Sequence, residues 1–312
     1  MKSIIVTGGA GFIGAHLCRR ILERGDAVLC VDNFSTSSRE GIDDLLQHSR
    51  FSLLEHDVCI PFEAEGDALF NLASPASPVF YQKDPVQTMK TNILGSLHVL
   101  ELARQQNIPV LQASTSEVYG DPLESPQTES YWGHVNPVGL RSCYDEGKRS
   151  AECLFFDYSR QYAVPVKVVR LFNTYGPGML PRDGRVITNF IIQALKGEDL
   201  TVYGRGTQTR SFCYVDDTVD GLLRFMDTPE SCTGPINLGR AEEISMLNLA
   251  LLVKEMTDSS SPIVFRDLPE DDPRQRRPDL SLAQEVLNWN PSVNLRSGLQ
   301  KTINFVKNIH PR

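Results

Sequence analysis

The stretch Thr7-Gly8-Gly9-Ala10-Gly11-Phe12-Ile13-Gly14 decides the fold of this chain. It joins a short apolar run, Ser3–Thr7, to residues 12–24, whose apolar side chains recur at helical spacing. Glycines at every third position allow a tight turn, close approach of a pyrophosphate and close packing of the helix. The helix N-terminus adds free N–H groups and a positive dipole end. The stretch therefore predicts a dinucleotide-binding loop, and a glycine-rich turn without a ligand is the less favoured interpretation.

Two carboxylates extend the predicted dinucleotide site. Asp32 ends the second predicted strand, about 20 residues after the glycines, where a carboxylate accepts hydrogen bonds from ribose hydroxyls. It would repel the 2′-phosphate of NADP, so the predicted cofactor is NAD; a solvated strand-end carboxylate is the alternative for Asp32 alone. Asp57 and Val58 are expected at the edge of the adenine. The full predicted cofactor-binding set is Gly8, Gly11, Phe12, Ile13, Gly14, Asp32, Asn33, Asp57, Val58, Leu72, Tyr144 and Lys148.

A tyrosine and a lysine four residues apart, Tyr144 and Lys148, are expected on one face of a helix. An ammonium beside a phenol stabilises the phenolate, so Tyr144 could act as a base nearer neutral pH. Such a pair occurs by chance in many helices and becomes specific only together with the glycine-rich loop. With the upstream triplet Thr115-Ser116-Glu117, the pattern predicts removal of a hydride and a proton from an alcohol.

The N-terminal half alternates short apolar runs with helical patterns, which is typical of a doubly wound parallel sheet. We therefore predict an α/β fold, with a Rossmann-like sheet and a smaller C-terminal α/β lobe for the substrate. The expected domains are 1–175, with 215–240 returning to it, and 176–312. The predicted strands are 3–7, 27–31, 51–55, 68–72, 110–113, 166–172, 200–203 and 235–238. The predicted helices are 12–24, 86–106, 144–162, 186–196, 215–226, 246–257 and 295–308.

Length, composition and charge bound the class of protein. The 312 residues suffice for one large domain or two coupled ones, with 41% hydrophobic and 22% charged residues as in ordinary soluble proteins. The net charge of −8 argues against a general nucleic-acid or acidic-membrane surface. No stretch approaches the roughly 18–20 consecutive apolar residues of a membrane span, and no signal peptide is visible. We expect a cytoplasmic protein with no nucleic-acid or membrane partner.

The seven cysteines are scattered, and none forms a C-x-x-C pair. Several lie in apolar runs such as Leu29-Cys30-Val31, as reduced core thiols of cytosolic proteins do. The six histidines form no zinc-binding pattern. We therefore expect neither disulfides nor a metal site.

Longer motifs make the pattern more specific. They are Leu72-Ala73-Ser74-Pro75-Ala76-Ser77-Pro78, Ala113-Ser114-Thr115-Ser116-Glu117-Val118-Tyr119-Gly120-Asp121, Tyr131-Trp132-Gly133-His134-Val135-Asn136-Pro137, Cys143-Tyr144-Asp145-Glu146-Gly147-Lys148-Arg149, Asp183-Gly184-Arg185-Val186, Leu200-Thr201-Val202-Tyr203-Gly204, Gln208-Thr209-Arg210 and Asp271-Asp272-Pro273. With these motifs the chain resembles, nearly end to end, the extended short-chain dehydrogenases/reductases that modify nucleotide sugars. Within that family it closely resembles the UDP-glucuronic acid decarboxylases, also called UDP-xylose synthases.

The resemblance implies a UDP-sugar substrate bound mainly by residues 176–312. It also implies a homodimer formed through the helices at 86–106 and 144–162. The apolar stripes of those helices could equally pack within one subunit.

The resemblance also implies a reaction. NAD⁺ would take a hydride from C4 of the glucuronosyl ring while Tyr144 takes the hydroxyl proton. Lys148 would lower the pKa of Tyr144 and hold the nicotinamide ribose, and Thr115 would bond the same hydroxyl. The 4-ketone is β to the C6 carboxylate, so CO₂ can leave its electrons in an enolate that Tyr144 and Thr115 stabilise. Protonation at C5 and return of the hydride would give UDP-xylose and regenerate NAD⁺.

Position 116 separates related activities. In 4,6-dehydratases the triplet resembles Thr-Asp-Glu, and its Asp protonates the departing C6 hydroxyl; Ser116 is a poor acid and matches the decarboxylases. Glu117 is expected near C5 and the carboxylate, with a strand-end Glu that caps a loop as the alternative. Arg210 is expected near the carboxylate or, as in epimerases, on the diphosphate. The implied catalytic residues are Thr115, Glu117, Tyr144, Lys148 and Arg210.

The resemblance implies further contacts around the sugar nucleotide. Tyr203 is expected near the uracil. Arg276 is expected on the diphosphate, but its neighbours Arg274 and Arg277 leave the choice among the three open, and a charge run is often only a solvated face. The full implied substrate-binding set is Lys90, Ser116, Asn173, Arg185, Tyr203, Arg210 and Arg276.

One departure and two other functions remain open. Relatives commonly have Arg after Gly176-Pro177, where this chain has Gly178, so a substrate contact is lost or moved to Arg182. A C4 epimerase of UDP-sugars would need the same Tyr and Lys. A catalytically idle dinucleotide-binding sensor is the third possibility, and the intact pair Tyr144 and Lys148 argues against it.

Overall fold

The computed structural model describes residues 1–181, 183–268 and 275–309. Its strands are β1 Ser3–Thr7, β2 Ala27–Asp32, β3 Phe51–Glu55, β4 Ala68–Asn71, β5 Val110–Thr115, β6 Val166–Leu171, β7 Thr174–Tyr175, β8 Leu200–Tyr203, β9 Thr209–Ser211, β10 Cys213–Tyr214, β11 Ile236–Leu238, β12 Glu243–Ser245, β13 Ile263–Arg266 and β14 Gln275–Arg276. Its α-helices are α1 Phe12–Glu23, α2 Asp43–Leu46, α3 Pro78–Tyr81, α4 Pro85–Gln106, α5 Ser142–Tyr162, α6 Val186–Lys196, α7 Val215–Met226, α8 Met246–Thr257, α9 Ser281–Leu287 and α10 Leu295–Ile309. Two 3₁₀ turns are Arg39–Ile42 and Ser116–Tyr119.

Seven strands form one parallel sheet in the order β11-β6-β5-β4-β1-β2-β3. Ile4 and Val6 of β1 lie in one cluster of buried apolar side chains, together with residues of α1 and α7. Ile5 lies in a second cluster, together with residues of α4 and α5. Because successive strand side chains point to opposite faces, the two helix pairs cover opposite faces of the sheet. The predicted Rossmann-like, doubly wound fold is confirmed.

Helices α4 and α5 pack against each other and position the residues of the predicted site. Asp84 caps α4 by accepting the backbone N–H of Gln87, and Pro85 begins the helix. A Cβ at Gly147 of α5 would lie 3.0 Å from the side-chain nitrogen of Asn92 on α4. The glycine therefore allows the two helices to approach closely.

The C-terminal lobe is a smaller α/β unit. β8 pairs with β13, and β9 pairs with both β12 and β14. Helices α6, α8 and α10 pack against one another beside these strands. β11 is the exception, because it pairs with β6 at the edge of the main sheet. The register of β9 and β14 places Arg276 opposite Arg210.

All seven cysteines are free thiols. Across residues 1–181, 183–268 and 275–309, no helix combines the length and apolar character needed to cross a membrane. The same ranges contain no group of three or more His, Cys, Asp or Glu side chains that could hold a metal ion.

Candidate active site

A cavity of about 670 Å³ lies where the strands of the main sheet end. Open α/β sheets bind ligands at this edge, and the volume is typical of a small-molecule site. Most of the predicted site residues line it: Gly8, Gly11, Phe12, Ile13, Gly14, Leu72, Thr115, Ser116, Glu117, Tyr144, Lys148, Asn173, Arg185, Tyr203, Arg210 and Arg276.

Five predicted residues do not line this cavity: Asp32, Asn33, Asp57, Val58 and Lys90. Val58 is buried, and the Asp57 side chain accepts a backbone N–H two residues further on. Lys90 is exposed on α4, whereas Thr88 and Asn92 of the same helix are buried. Lys90 is two positions from both Thr88 and Asn92, and residues two positions apart lie on opposite sides of a helix. The structure therefore does not bring Lys90 to the predicted substrate site.

The glycine-rich loop, residues 7–14, fits a dinucleotide pyrophosphate. Gly8 has a φ of +70°, and a Cβ there would lie 2.7 Å from the backbone nitrogen of Ala73. A Cβ at Gly14 would lie 2.1 Å from the carbonyl oxygen of Gly8, so only glycine allows this packing. α1 begins at Phe12 with no side-chain cap and no acidic residue in its first turn. Its first N–H groups therefore favour an anion in the cavity.

Asp32 holds the backbone that borders this loop. Its Oδ2 accepts the Ala10 backbone N–H at 3.0 Å, and its Oδ1 accepts the Phe34 backbone N–H and the Ser37 hydroxyl, both at 2.9 Å. The carboxylate is buried, so the alternative of a solvated strand-end Asp does not hold. Ser37 lines the cavity. A ribose contact from Asp32 itself stays a prediction.

Tyr144 and Lys148 lie one turn apart on α5 and are both buried at the cavity wall. The Lys148 ammonium donates to the carbonyl oxygen of Ala113 at 2.9 Å and lies 5.9 Å from the centre of the Tyr144 ring. Burial lowers the pKa of Lys148 to about 7. The Thr115 hydroxyl lies close enough to Tyr144 for a side-chain hydrogen bond that favours its phenolate. The structure thus brings together the three residues that the sequence associates with hydride and proton removal.

The pKa of Tyr144 lies above its ordinary value in the ligand-free protein, and the expectation that Lys148 lowers it stays a prediction. Burial raises this pKa and the negative charge of Glu117 raises it further, while the hydrogen bond with Thr115 opposes them. Lys148, with a pKa of about 7, is only partly protonated at neutral pH and so is a weak counter-charge. Deprotonation of Tyr144 therefore needs a further positive charge in the cavity.

Tyr81 is a site residue that the sequence analysis misses. It is fully buried at the end of α3 and stacks on Tyr144, with ring centroids 5.1 Å apart and ring planes 4° from parallel. Stacked rings of this kind restrict each other's orientation. Tyr81 therefore helps to fix the plane of the Tyr144 ring. Helix α3 is only four residues long, too short for a periodic signal.

Four charged or acidic side chains form a second group, which we call the Glu117 cluster: Glu117, Arg141, Asp145 and Arg276. Arg141 meets the Oε2 of Glu117 at 2.7 Å, and Arg276 meets its Oε1 at 3.1 Å. Burial alone would raise the pKa of Glu117, but the charges of Arg276 and Arg141 outweigh it and hold that pKa well below its usual range. Glu117 is therefore an ionised carboxylate and not a proton donor.

Arg141 and Asp145 are further residues that the sequence analysis misses. Arg141 lines the cavity, and both flank Tyr144 closely in sequence. Their only sequence signal is this adjacency. Arg276, expected on the diphosphate, contacts Glu117 through its Nη1, and the diphosphate contact stays a prediction. Its Nε and Nη2 are buried with no hydrogen-bond partner among the described residues.

The remaining predicted residues lie around the cavity. Tyr203 is 45% exposed, and the side chain of Arg185 lies 3.4 Å from the carbonyl oxygen of Ala76. Gly178 has a φ of +87°, a conformation that an Arg would adopt only with strain. Arg277, one of the open candidates for the diphosphate, does not line the cavity. Arg182, Arg274 and the motif Asp271-Asp272-Pro273 lie outside the described residues.

Comparisons with known proteins agree with this arrangement. The model of the NAD dependent epimerase/dehydratase family matches residues 4–239. The chain belongs to this family. It is 54% identical over 297 residues to UDP-glucuronic acid decarboxylase 3 of Arabidopsis thaliana, covering 95% of this chain and 86% of that protein. It is 48% identical over 306 residues to UDP-glucuronic acid decarboxylase 1 of Xenopus tropicalis, covering 98% and 72%.

A solved structure gives the same fold. The UDP-glucuronic acid 4-epimerase of Bacillus cereus, solved with UDP-glucuronic acid and NAD, superimposes with a TM-score of 0.90. The two chains are 28% identical, and the match covers 99% of this chain and 100% of that one. The glycine-rich loop and the neighbouring cavity are thus features of a protein from an NAD-dependent family.

Proposed function

We propose that the protein is a UDP-glucuronic acid decarboxylase, which releases CO₂ from UDP-glucuronic acid and forms UDP-xylose while NAD is regenerated in each cycle. The observation that carries the proposal is the Arg276 guanidinium at the cavity wall, with Nε and Nη2 buried and unpartnered among the described residues. Buried donors need an acceptor, and a carboxylate accepts two N–H groups of one guanidinium. The C6 carboxylate of a uronic acid is such an acceptor.

The residues around Tyr144 supply the proton chemistry. Tyr144, once the positive charge of the bound cofactor has favoured its phenolate, receives the proton of the C4 hydroxyl, and Thr115, beside Tyr144 at the cavity wall, holds the same oxygen. NAD, when bound by the glycine-rich loop and Lys148, supplies the removal and return of a hydride that make the carboxylate labile. After CO₂ has left, Tyr144 and Thr115 stabilise the enolate oxygen. A proton from solvent then adds at C5, and Tyr144 returns its proton to O4 as the hydride returns to C4.

The residues next to Thr115 favour decarboxylation over dehydration. Ejecting a C6 hydroxyl requires an acid, but Ser116 is a poor acid and Glu117 is ionised. The similarity to a UDP-glucuronic acid 4-epimerase keeps epimerisation as the alternative. The 54% identity to a decarboxylase, nearly twice the 28% identity to that epimerase, favours decarboxylation.

The two parts of the chain divide the ligands. Residues 1–175, with 215–240, bind NAD, and residues 176–312 bind most of the UDP-sugar. Tyr203 contacts the uracil, and Arg210 is assigned to the diphosphate because Arg276, opposite it on β14, is engaged with Glu117. Asn173 and Arg185 complete the substrate contacts from the cavity wall.

A cytoplasmic homodimer is part of the proposal. Val86 and Leu94 of α4 and Tyr162 of α5 are exposed apolar or aromatic residues on the packed helix pair, which supports an interface there. All seven cysteines are free thiols, including the exposed Cys153, and this supports a location in a reducing compartment such as the cytoplasm. Sedimentation that shows only monomer at micromolar concentration would rule out the dimer.

The test is incubation of the purified NAD-containing protein with UDP-glucuronic acid. We expect CO₂ release, and we expect NMR of the sugar nucleotide to show UDP-xylose. Tyr144→Phe should lower kcat by about 10²–10⁴-fold, the usual contribution of a positioned acid–base group, while bound NAD is retained. A UDP-galacturonic acid product without CO₂ would favour the epimerase. A Tyr144→Phe protein equal to wild type in every turnover assay would favour the idle sensor.

A further inference from the structure

A second carboxyl group lies directly behind Glu117. Asp145 is in the first turn of α5, immediately after Tyr144, and is buried. Its carboxyl group lies close enough to Glu117 for a hydrogen bond between the two to raise the pKa of Asp145, but it does not line the cavity. A hydrogen bond between two carboxyl groups requires that one of them is protonated.

The geometry decides which of the two carries the proton. Arg141 and Arg276 each meet one oxygen of Glu117. Within the described residues Asp145 makes no ion pair, and its Oδ1 has no hydrogen-bond partner. An ionised Asp145 would face a second negative charge and leave an oxygen unsatisfied, which is costly in a buried site. Glu117 is therefore the carboxylate, and Asp145 is the acid that donates to it.

The electrostatic surroundings agree with this assignment. Burial, the charge of Glu117 and the hydrogen bond between the two groups raise the pKa of Asp145 to about 9, against the opposing charges of Arg276 and Arg141. The other titratable groups around the pair are Tyr81, Cys143 and Tyr144, and burial raises the pKa of all three, so they are neutral in the ligand-free protein at pH 7.

We propose that Asp145 is a positioning residue, which as a neutral acid donates a hydrogen bond that holds the Glu117 carboxylate at the cavity wall between its two arginines. A neutral donor orients Glu117 without placing another negative charge near the carboxylate of the substrate. The role rests on the proposed decarboxylase function, in which Glu117 faces the acid group of the sugar.

The first test compares two substitutions at Asp145 with a neighbouring control. Asp145→Leu removes the donor and should lower kcat about tenfold or more, as loss of a hydrogen bond to a buried charge does. KM should change little, because the side chain does not line the cavity. Asp145→Asn keeps a neutral N–H donor and should restore most of kcat. Glu146→Leu, one position along α5 and paired with Arg149 outside the cavity, controls for helix effects.

The second test is the pH profile of kcat. Ionisation of Asp145 should lower the rate of the wild type as pH rises past about 9, whereas Asp145→Asn should lack that decline. This comparison holds even where Asp145→Leu fails to fold. The inference is overturned by an Asp145→Asn protein as slow as Asp145→Leu, by an Asp145→Leu protein as fast as wild type, or by identical alkaline limbs.

A measurement without turnover separates this inference from the proposed function. The aspartate carboxyl groups can be titrated by ¹³C NMR, and the signal that disappears in Asp145→Asn is then assigned to Asp145. At pH 7 we expect this signal to have the chemical shift of a protonated acid. An ordinary aspartate titration for that signal overturns the inference. A wild type that releases no CO₂ overturns the proposed function instead, and the titration then decides the state of Asp145 by itself.

Discussion

The glycine-rich loop and the Glu117 cluster border the same cavity but are built differently. The loop acts through backbone N–H groups, and its shape depends on the absence of side chains at Gly8 and Gly14. The Glu117 cluster acts through side-chain charges that come from the end of β5, from α5 and from β14. The shape of the loop is fixed by local sterics, so adding one atom should abolish its ligand binding. The Glu117 cluster is fixed by charge balance, so substitutions there should reduce its function gradually.

The largest expected effect is at the loop. Gly14→Ala places a Cβ where the carbonyl of Gly8 lies, so it should remove bound NAD and activity and lower the free energy of unfolding by about 1–3 kcal/mol, as overpacking does. Gly41→Ala is the matched control, because its Cβ would come no closer than 3.7 Å to any atom. For both variants, the content of bound NAD and the free energy of unfolding in urea are measured. A Gly14→Ala protein with full NAD content would contradict the claim that local sterics fix the shape of the loop.

A graded effect is expected at the cluster. Arg276→Lys keeps the charge but not the planar fork, so kcat/KM for UDP-glucuronic acid should fall about 10–100-fold, the loss of one charged hydrogen bond. Inhibition by UDP-glucose, which lacks the carboxylate, should stay as in wild type. If both nucleotides lose affinity equally, Arg276 binds the diphosphate, as the sequence analysis expects.

A smaller effect separates the charge of Lys148 from its packing. Its pKa is about 7 in the folded protein and about 10.4 in the unfolded chain, so between these values the unfolded state binds more protons. The free energy of unfolding should therefore rise with pH across that window, and Lys148→Met should lack this contribution. Urea unfolding of the cofactor-free proteins at pH 7, 8, 9 and 10 measures it. If the free energy of unfolding changes with pH in the same way in both proteins, Lys148 is not desolvated. Asp145 is present in both proteins, so its contribution to the pH dependence cancels in the comparison.

The smallest effect is expected outside the cavity. Lys90→Ala should leave KM for UDP-glucuronic acid within about twofold of wild type, because Lys90 is exposed on α4 and surface changes usually matter little. Steady-state kinetics suffices. A tenfold rise in KM would mean that α4 reaches the substrate and that the sequence-based expectation for Lys90 is correct.

Most of the main sheet can be predicted from the sequence because its signals are local. β1 and β3 of the main sheet and α7 beside it coincide with predicted segments, and so do β8, α6 and α8 of the C-terminal lobe. No sequence pattern predicts α2, α3, α9, β7, β9, β10, β12, β13 or β14. Each has only two to seven residues, too few for a clear period, and the strands among them form by pairing with segments distant in the chain.

The site divides in the same way. The glycine-rich loop and the pair Tyr144 and Lys148 have fixed spacings within one turn or one helix, so the sequence reveals them. The contact of Arg276 with Glu117 joins residues far apart in the chain, and no spacing rule predicts it. The direction of the Tyr144 pKa was also not predictable, because it depends on burial and on Glu117.

The ion pair between Arg276 and Glu117 also links two parts of the chain. Glu117 follows β5 of the main sheet, whereas Arg276 belongs to β14, which is anchored to β9 of the C-terminal lobe. Any separation of the lobe from the sheet would leave Glu117 with one arginine and raise its pKa. The protonation state of Glu117 thus depends on whether the C-terminal lobe lies against the main sheet.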